Sequence, residues 1–342
     1  MKPLVSILIP AYNAEEWIAD TIRSAMAQTW EPKEIVIVDD GSSDRTYDVA
    51  KQFASETVRV YRHENQGPSA TRNKAFSLCR GEYIQWLDAD DLLAPDKVET
   101  QMRVMPIEDK RTLLSSAFGA FIYRPHKAQF VPTDLWCDLS PAEFMLRKMA
   151  QRLSMQTSTW LVSRELTEAA GPWDTNMHVN NDGEYFCRVL LACDAVRFVP
   201  EAKVYYRAVG STSVSYVGKS NKKMDALWRS MQLHIDYLRS LEDTPRVREG
   251  CVQYLQHYLI TFFPLRPDIV EQMHRLAGDL GGKLTTPRLS WKYAWIKTLF
   301  GWDSAQHAQI ALTNAKASLE RIWDKTLSRW DNQPLVDPQA HA

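Results

Sequence analysis

The chain has 342 residues, 45% apolar and 24% charged, with 41 lysines and arginines against 42 aspartates and glutamates and a net charge of -1. This is the composition of a soluble globular protein with room for more than one core, and the charge balance argues against nucleic acid or another polyanion as the main partner. Five scattered cysteines argue against a disulfide framework or a cysteine-built zinc site, and suit a reducing, cytoplasmic compartment.

The first elements alternate between two periods. "LVSILIP" is a continuous β-branched run closed by Pro10, the pattern of a buried strand and too short for a signal-peptide core. "NAEEWIADTIRSAMAQ" predicts a helix with Asn13 as N-cap and Trp17, Ile18, Ile22 and Met26 at helical spacing. "KEIVIVDDGSS" is a second strand, "SDRTYDVAKQFAS" a helix capped by Ser43, "VRVYRH" a third strand, "GPSATRNKAFSLCR" a third helix and "YIQWLD" a fourth strand. Alternation of this kind predicts an α/β fold with a mainly parallel sheet and helices on both faces, whose ligands sit beyond the carboxyl ends of the strands.

From about Leu113 to Ser215 strands ("SAFGAFIY", "TSTWLVS", "KVYYRAV") mix with helices ("PAEFMLRKMAQRL", "DGEYFCRVLLA"). After Gly218 the pattern is helical. Met224, Leu227, Met231, His234, Leu238 and Leu241 make one stripe, and four more helical stretches follow, including "SWKYAWIKTLFGW" and "AQIALTNAKASLERIWDKTLSRW". The most apolar of them, "CVQYLQHYLITFFPL", is interrupted by Gln253, Gln256 and His257 and reads as no membrane span. The expected organisation is a catalytic domain over 1–215, a helical region over 216–330 and a disordered tail over 331–342.

Chemistry concentrates at two strand ends. "LDADD" places Asp88, Asp90 and Asp91 within four positions after a buried strand. Helix capping would account for one of these aspartates and leave two unexplained. Crowded carboxylates instead suit a hard divalent cation, Mn²⁺ or Mg²⁺, that completes its shell with phosphate oxygens and water. "VDDGSSDRT" ends a neighbouring strand with Asp39 and Asp40, able to accept from a ligand's N–H or hydroxyl groups, and "NQGPSATRN" presents Arg72, suited to a diphosphate. Neither a GxGxxG nor a GxxxxGK[ST] follows the first strand, where "PAYNAEEW" stands, so phosphate binding falls to the metal and arginine.

The ordered set "SILIPAYNAEEWIADTIRSAMAQTW", "EIVIVDDGSSDRT", "NQGPSATRNKA" and "GEYIQWLDADDLLAPDKV" resembles the nucleotide-sugar-binding half of the family 2 inverting glycosyltransferases, which have the GT-A fold. The resemblance is strong over the first hundred residues, weaker to about 215 and absent beyond. It implies that Pro10, Tyr12 and Asn13 line the nucleotide pocket. Asp40, with Asp39 beside it, would contact the base, and Arg72 would stand in the A-R-N motif with Thr71 in place of Ala. Asp88 and Asp90 would form the DxD pair, Asp90 ligating the metal and Asp88 reaching the ribose or a metal-bound water. "VNNDGEYFCRVL" resembles the segment carrying the catalytic base, which falls on Asp182, with Asn181 where the family commonly has Glu. N-capping is the competing role for Asp182. Val209 falls near a metal-contacting His of many members.

The function so implied is transfer of a sugar from a nucleoside-diphosphate sugar, uridine-linked by family frequency, to an acceptor hydroxyl. The acceptor would be a carbohydrate or a lipid-linked one, in polysaccharide, O-antigen or glycolipid assembly. Asn181 and Val209 keep open a nucleotide-sugar-binding scaffold without turnover. Phosphoryl transfer of the dehalogenase type needs its DxD after the first strand, and sugar nucleotidyl transfer a glycine-rich basic loop there. For the helical region the preferred reading is a bundle supporting the catalytic domain or a homodimer. The alternative is peripheral membrane contact through 288–302, where aromatics mix with Arg288, Lys292 and Lys297.

Overall fold

The computed structural model describes residues 2–105, 109–208, 220–287 and 294–331. Its strands are β1 (Val5–Ala11), β2 (Lys33–Asp39), β3 (Val58–Arg62), β4 (Tyr83–Trp86), β5 (Leu92–Leu93), β6 (Thr112–Phe121), β7 (Gln129–Phe130), β8 (Val162–Ser163) and β9 (Ala195–Arg207). One sheet runs β3-β2-β1-β4-β8 and the other β5-β9-β6-β7. In the first, β1 to β4 are parallel and β8 closes the edge antiparallel. Every residue of β1 except Pro10 is buried, as expected of a strand covered on both faces, which is why it reads as a continuous apolar run.

Register sets the position of the site. Ala11 pairs with Asp39 and Leu8 with Trp86, and the Leu87 N–H donates to the Leu8 carbonyl at 2.9 Å. The chain therefore leaves β1, β2 and β4 along one carboxyl-terminal rim, carrying Tyr12–Asn13, Asp39–Asp40 and Asp88 to it.

The helices are α1 (Ile18–Met26), α2 (Thr46–Lys51), α3 (Pro68–Leu78), α4 (Lys97–Val104), α5 (Pro141–Ala150), α6 (Arg164–Ala170), α7 (Asn181–Ala192), α8 (Asn221–Leu241), α9 (Pro245–Phe262), α10 (Pro267–Asp279) and α11 (Ala294–Ser328). Two starts differ from expectation. Asn13 does not cap α1, because its φ of 47° is left-handed. Its Oδ1 instead accepts from the Ser43 N–H at 2.9 Å, and its own N–H donates to Ser42 Oγ at 2.9 Å, locking two rim loops together. Ser43 likewise does not cap α2, which begins at Thr46, where Asp44 Oδ1 accepts from the Thr46 N–H at 2.9 Å.

Further on, "TSTWLVS" folds as a short 3-10 turn over Thr157–Thr159 and the two-residue β8 rather than one strand, because Ser158 is committed to bonds with the β4 exit. The last two expected helices are one, since a single glycine inside a helix costs only about 1 kcal/mol and Gly301 does not stop it. Leu241 is more exposed than the rest of its stripe, as α8 ends there. The largest apolar cluster joins Leu8, Val36 and Trp86 of the sheet to Leu227, Met231, Leu238, Leu255 and Phe262 of α8 and α9. The helical region thus extends the sheet's own core.

Candidate active site

The three aspartates after β4 meet three environments. Asp91 is fully buried. Its Oδ1 accepts from the Arg207 N–H and its Oδ2 from Ser158 Oγ, both at 3.0 Å. Burial first, then Asp90 and Asp88, push its carboxyl well above the usual range. Asp91 is therefore a tie between the β4 exit and β9. Asp90 is held by its backbone, its carbonyl accepting from Arg207 Nε at 2.8 Å. Burial and the neighbouring Asp88 push its carboxyl up to about 6. Asp88 is partly exposed and pairs through Oδ1 with Arg72 Nη2 at 2.8 Å.

Arg72 comes from α3. Gly67, at φ 89°, lets the chain turn into that helix ahead of Pro68. The guanidinium lies 4.5 Å from the Trp173 ring, which in turn stacks on Tyr185 at 3.9 Å and 7°. Asn73 fixes the Trp173 backbone at both ends, accepting from its N–H at 2.8 Å and donating to its carbonyl at 2.9 Å. Arg72 is thereby held between the Trp173 ring and Asp88. Thr71, where the resembling family has Ala, is buried and donates its hydroxyl to the Gly67 carbonyl at 2.9 Å, so the extra oxygen is satisfied within the helix.

At the end of β2 both carboxylates are engaged by the chain itself. Asp39 Oδ2 accepts from the Ser42 N–H and pairs with Arg62 Nε, each at 3.1 Å, while its Oδ1 is buried without a partner. Asp40 accepts from the N–H groups of Gln66 at 2.8 Å and Gly67 at 2.9 Å. The two residues close the turn into α2 and the loop into α3. Tyr12, 53% exposed, stands on the open rim next to half-buried Pro10.

Asp182 lies in the first turn of α7, half-buried. It does not cap the helix: the flanking position is Asn180, and the Asp182 N–H donates to Asn181 Oδ1 at 2.8 Å. Among the described residues, the Asp182 carboxylate accepts no hydrogen bond. Tyr206 of β9 feels the charge of both acidic segments. Its phenol is pushed up to about 12 by burial first, then by Asp91, Asp90, Asp88 and Asp182.

Four contributors were missed in the sequence: Ser158, Trp173, Tyr206 and Arg207. Arg207, 2% exposed, lies 4.3 Å from the Trp17 ring and 4.6 Å from Phe121, with Asp20 Oδ2 at 4.0 Å. An arginine at the end of the apolar run "KVYYR" was a signal, since a buried guanidinium requires acids or carbonyls nearby. Val209 and its loop, residues 288–293 and the tail from 332 lie outside the described residues. Among those described, no three His, Cys, Asp or Glu side chains are grouped to hold a metal.

Residues 6–151 match the Glycosyl transferase family 2 family. The match covers less than half of the chain. The chain is 27% identical over 228 residues to an uncharacterized glycosyltransferase of Rickettsia typhi, covering 66% of the chain and 71% of that protein. It is 42% identical over 107 residues to Bacillus subtilis TuaG, whose name assigns it to teichuronic acid biosynthesis, covering 30% of the chain and 42% of TuaG. Against a Rickettsia felis glycosyltransferase it is 25% identical over 248 residues, 71% of the chain and 41% of that protein. The chain thus spans less than half the length of two of these three relatives.

The glycosyltransferase shares its fold with S. aureus TarS 1–349. Against the complex with UDP the TM-score is 0.60 at 17% identity, covering 82% of this chain and 80% of that one. Against the complex with UDP-GlcNAc it is 0.55 at 16% identity, covering 85% and 95%. These shares exceed what the α/β part alone supplies, so the likeness reaches into the helical region, where the sequence resemblance had ended.

Proposed function

We propose that this glycosyltransferase moves a sugar from a nucleoside-diphosphate sugar to an acceptor hydroxyl with inversion, Asp182 acting as general base. The observation that carries the reading is the pairing of Arg72 with Asp88 at 2.8 Å, with the turn that holds Asp182 bonded to the Arg72 helix through Asn181 and Ser69 at 3.3 Å. A base on one side and a diphosphate cradle on the other is the arrangement that in-line displacement at an anomeric carbon needs.

Arg72, held against Trp173, donates to the diphosphate, sharing its guanidinium between Asp88 and the phosphate oxygens. Tyr12 offers an exposed ring to the base, together with Pro10 and Asn13, and Asp39 and Asp40 hold the loops that frame it. Asp182, with its carboxylate free of chain partners among the described residues, takes the proton from the acceptor oxygen. Asp88 and Asp90 fit a hard divalent cation, Mn²⁺ or Mg²⁺: Asp90 is a carboxylate that burial and a like charge leave short of compensation. Such a cation, when bound, neutralises charge on the departing nucleoside diphosphate. With only two carboxylates to hold it, such a cation would need further oxygen ligands from phosphate and water.

TarS has been crystallised with UDP and UDP-GlcNAc, which makes uridine donors the first to test. TuaG suggests a polysaccharide product. The decisive experiment incubates the protein with UDP-, GDP- and dTDP-linked sugars and Mn²⁺ and follows release of nucleoside diphosphate. Release that disappears in Asp182→Asn supports the reading; binding without release from any donor would instead support the scaffold. We extend the proposal to a lipid-linked acceptor met at a membrane surface through 288–302. No helix among the described residues is long and apolar enough to cross a membrane. Liposome co-sedimentation with and without 288–302 tests this contact, and sedimentation velocity tests a homodimer through the helical region.

A further inference from the structure

The turn that carries Asp182 is clamped from two sides. Asn180, at φ 57°, is left-handed, a conformation open to Asn at modest cost. Its Nδ2 donates to Ser230 Oγ at 3.0 Å on α8, and the buried Ser230 hydroxyl donates on to the Leu227 carbonyl at 2.9 Å. The amide also presses on the next turn, since a Cβ at Gly183 would stand 2.2 Å from Asn180 Oδ1. Asn181 has both ends of its amide in use. Its Oδ1 accepts from the Asp182 N–H at 2.8 Å and its Nδ2 donates to Ser69 Oγ at 3.3 Å. Ser69 lies in the first turn of α3, one turn before Arg72. On the far side of the turn, Glu184 Oε1 accepts from the Tyr237 hydroxyl of α8 at 3.1 Å and pairs with Arg188 Nε at 2.7 Å.

We propose that Asn180, Asn181 and Ser230 are positioning residues for Asp182. Through them α8 of the helical region and α3, the helix bearing Arg72, fix the turn between them. The inference rests on Asp182 being the base and adds how it is aimed. Glycine would suit the left-handed position at 180 equally well; what it lacks is the amide that reaches α8. A carboxylate at 181 could not donate to Ser69 Oγ and would set a second negative charge beside the base. Asn181, which departs from the family's usual Glu, is thereby given a role: it ties the base turn to the Arg72 helix and leaves Asp182 as the carboxylate of that turn not already held by the chain, Glu184 being bonded to Tyr237 and Arg188.

The test compares Asn180→Gly, which keeps the backbone angle and removes the amide, with Ser230→Ala, which removes its acceptor. Hydrolysis of UDP-GlcNAc with Mn²⁺ and amide hydrogen exchange over 179–187 are measured on the full chain. Each variant should lose about 10- to 100-fold in kcat with donor KM changed less than about twofold, since a small misplacement of a base costs turnover before binding. The double variant should be no worse than the worse single, as both break one bond. Exchange over 179–187 should quicken in each. Wild-type kcat in both single variants, while Asp182→Asn is inactive, overturns the positioning role and leaves the base in place. An active Asp182→Asn overturns the function reading itself. Exchange is read without donor, so unchanged exchange in both variants overturns the clamp even where UDP-GlcNAc is not turned over.

Discussion

Asp88, Asp90 and Asp91 are the same residue type within four positions, and their surroundings give them three jobs. Asp91 is a structural acceptor, Asp88 an arginine partner, and Asp90 a buried carboxylate held up to about 6 by its burial and by Asp88. A raised value means that Asp90 is protonated below about pH 6, where a proton competes with any cation. Calorimetry of Mn²⁺ with UDP should therefore show affinity falling as the pH drops from 7.5 to 5. Asp90→Asn should weaken binding throughout and flatten that dependence; unchanged affinity in the variant would remove Asp90 from the metal site. For Asp182 the effect belongs to turnover. A positioned base contributes roughly 10²–10⁴-fold, so Asp182→Asn should cost about 3–5 kcal/mol of transition-state stabilisation. Affinity for the nucleotide should stay near wild type, and steady-state kinetics separate the two.

Between elements, the contacts of α5, α8 and α9 carry pH-dependent stability of two kinds. Glu143 of α5 pairs with Arg147 at 2.6 Å and with Arg246 of α9 at 2.7 Å. Arg246 first, with Arg147, holds its carboxyl down to about 2. A depressed carboxylate stabilises the fold above its unfolded value of 4.5, and the contribution is lost as the pH falls toward 2. Glu143→Gln should reduce the acid sensitivity of the urea midpoint in that window, and the difference should shrink in salt because the pair is largely exposed. His234 of α8 accepts or donates at Nδ1 to the Tyr254 hydroxyl of α9 at 2.9 Å. Burial pushes its imidazole down to about 3 from 6.5. Here the unfolded chain binds a proton that the fold refuses, so stability should fall as the pH drops from 6.5 toward 3. His234→Gln should lack that slope, and an identical slope in the variant would place the acid lability elsewhere.

At the scale of the whole molecule, the last turns of α11 come back to the loop before α1 and to the segments that follow β6 and β9. In the last turns of α11, Asp324 accepts from the Tyr123 N–H and from Arg124 Nε, both at 2.8 Å, Lys325 pairs with Glu16 at 2.8 Å, and Arg321 donates to the Ala208 carbonyl at 3.2 Å. Trp17 next to Glu16 meets Tyr123 at a tilt of 53°, ring centroids 5.3 Å apart, and also covers Arg207. The helix end thus sits over the element that holds Asp90 and Asp91. Leu319, Ile322 and Trp323 on its other side are exposed, so these last turns of α11 are held mainly by polar contacts and open at low cost. Asp324→Ala leaves Arg124 and the Tyr123 N–H without their acceptor. Limited proteolysis should then cut within 294–331 faster, with the melting temperature of the core little changed; equal cleavage rates would show that other contacts hold the helix.

The alternation of strands and helices over the first hundred residues, the acids at strand ends and the arginine of α3 were legible in the sequence because each is a local signal. Burial on both faces makes an apolar run, and strand ends carry the loops where ligands bind. The sequence also placed Asp182 at a helix start. It did not reveal that Asn180 is the flanking residue, because an Asn, an Asn and an Asp in a row offer equivalent caps until φ values are set. What only the tertiary structure decided is which distant groups meet the aspartates. Arg207 reaches Asp91 across 116 residues and Ser158 across 67, and Trp173 comes to Arg72 from another segment. Such partners follow from sheet register and helix packing, which depend on the whole chain at once. A local pattern can mark a buried arginine or a crowded carboxylate as needing a partner, but the partner's identity is fixed only when the fold brings the two together.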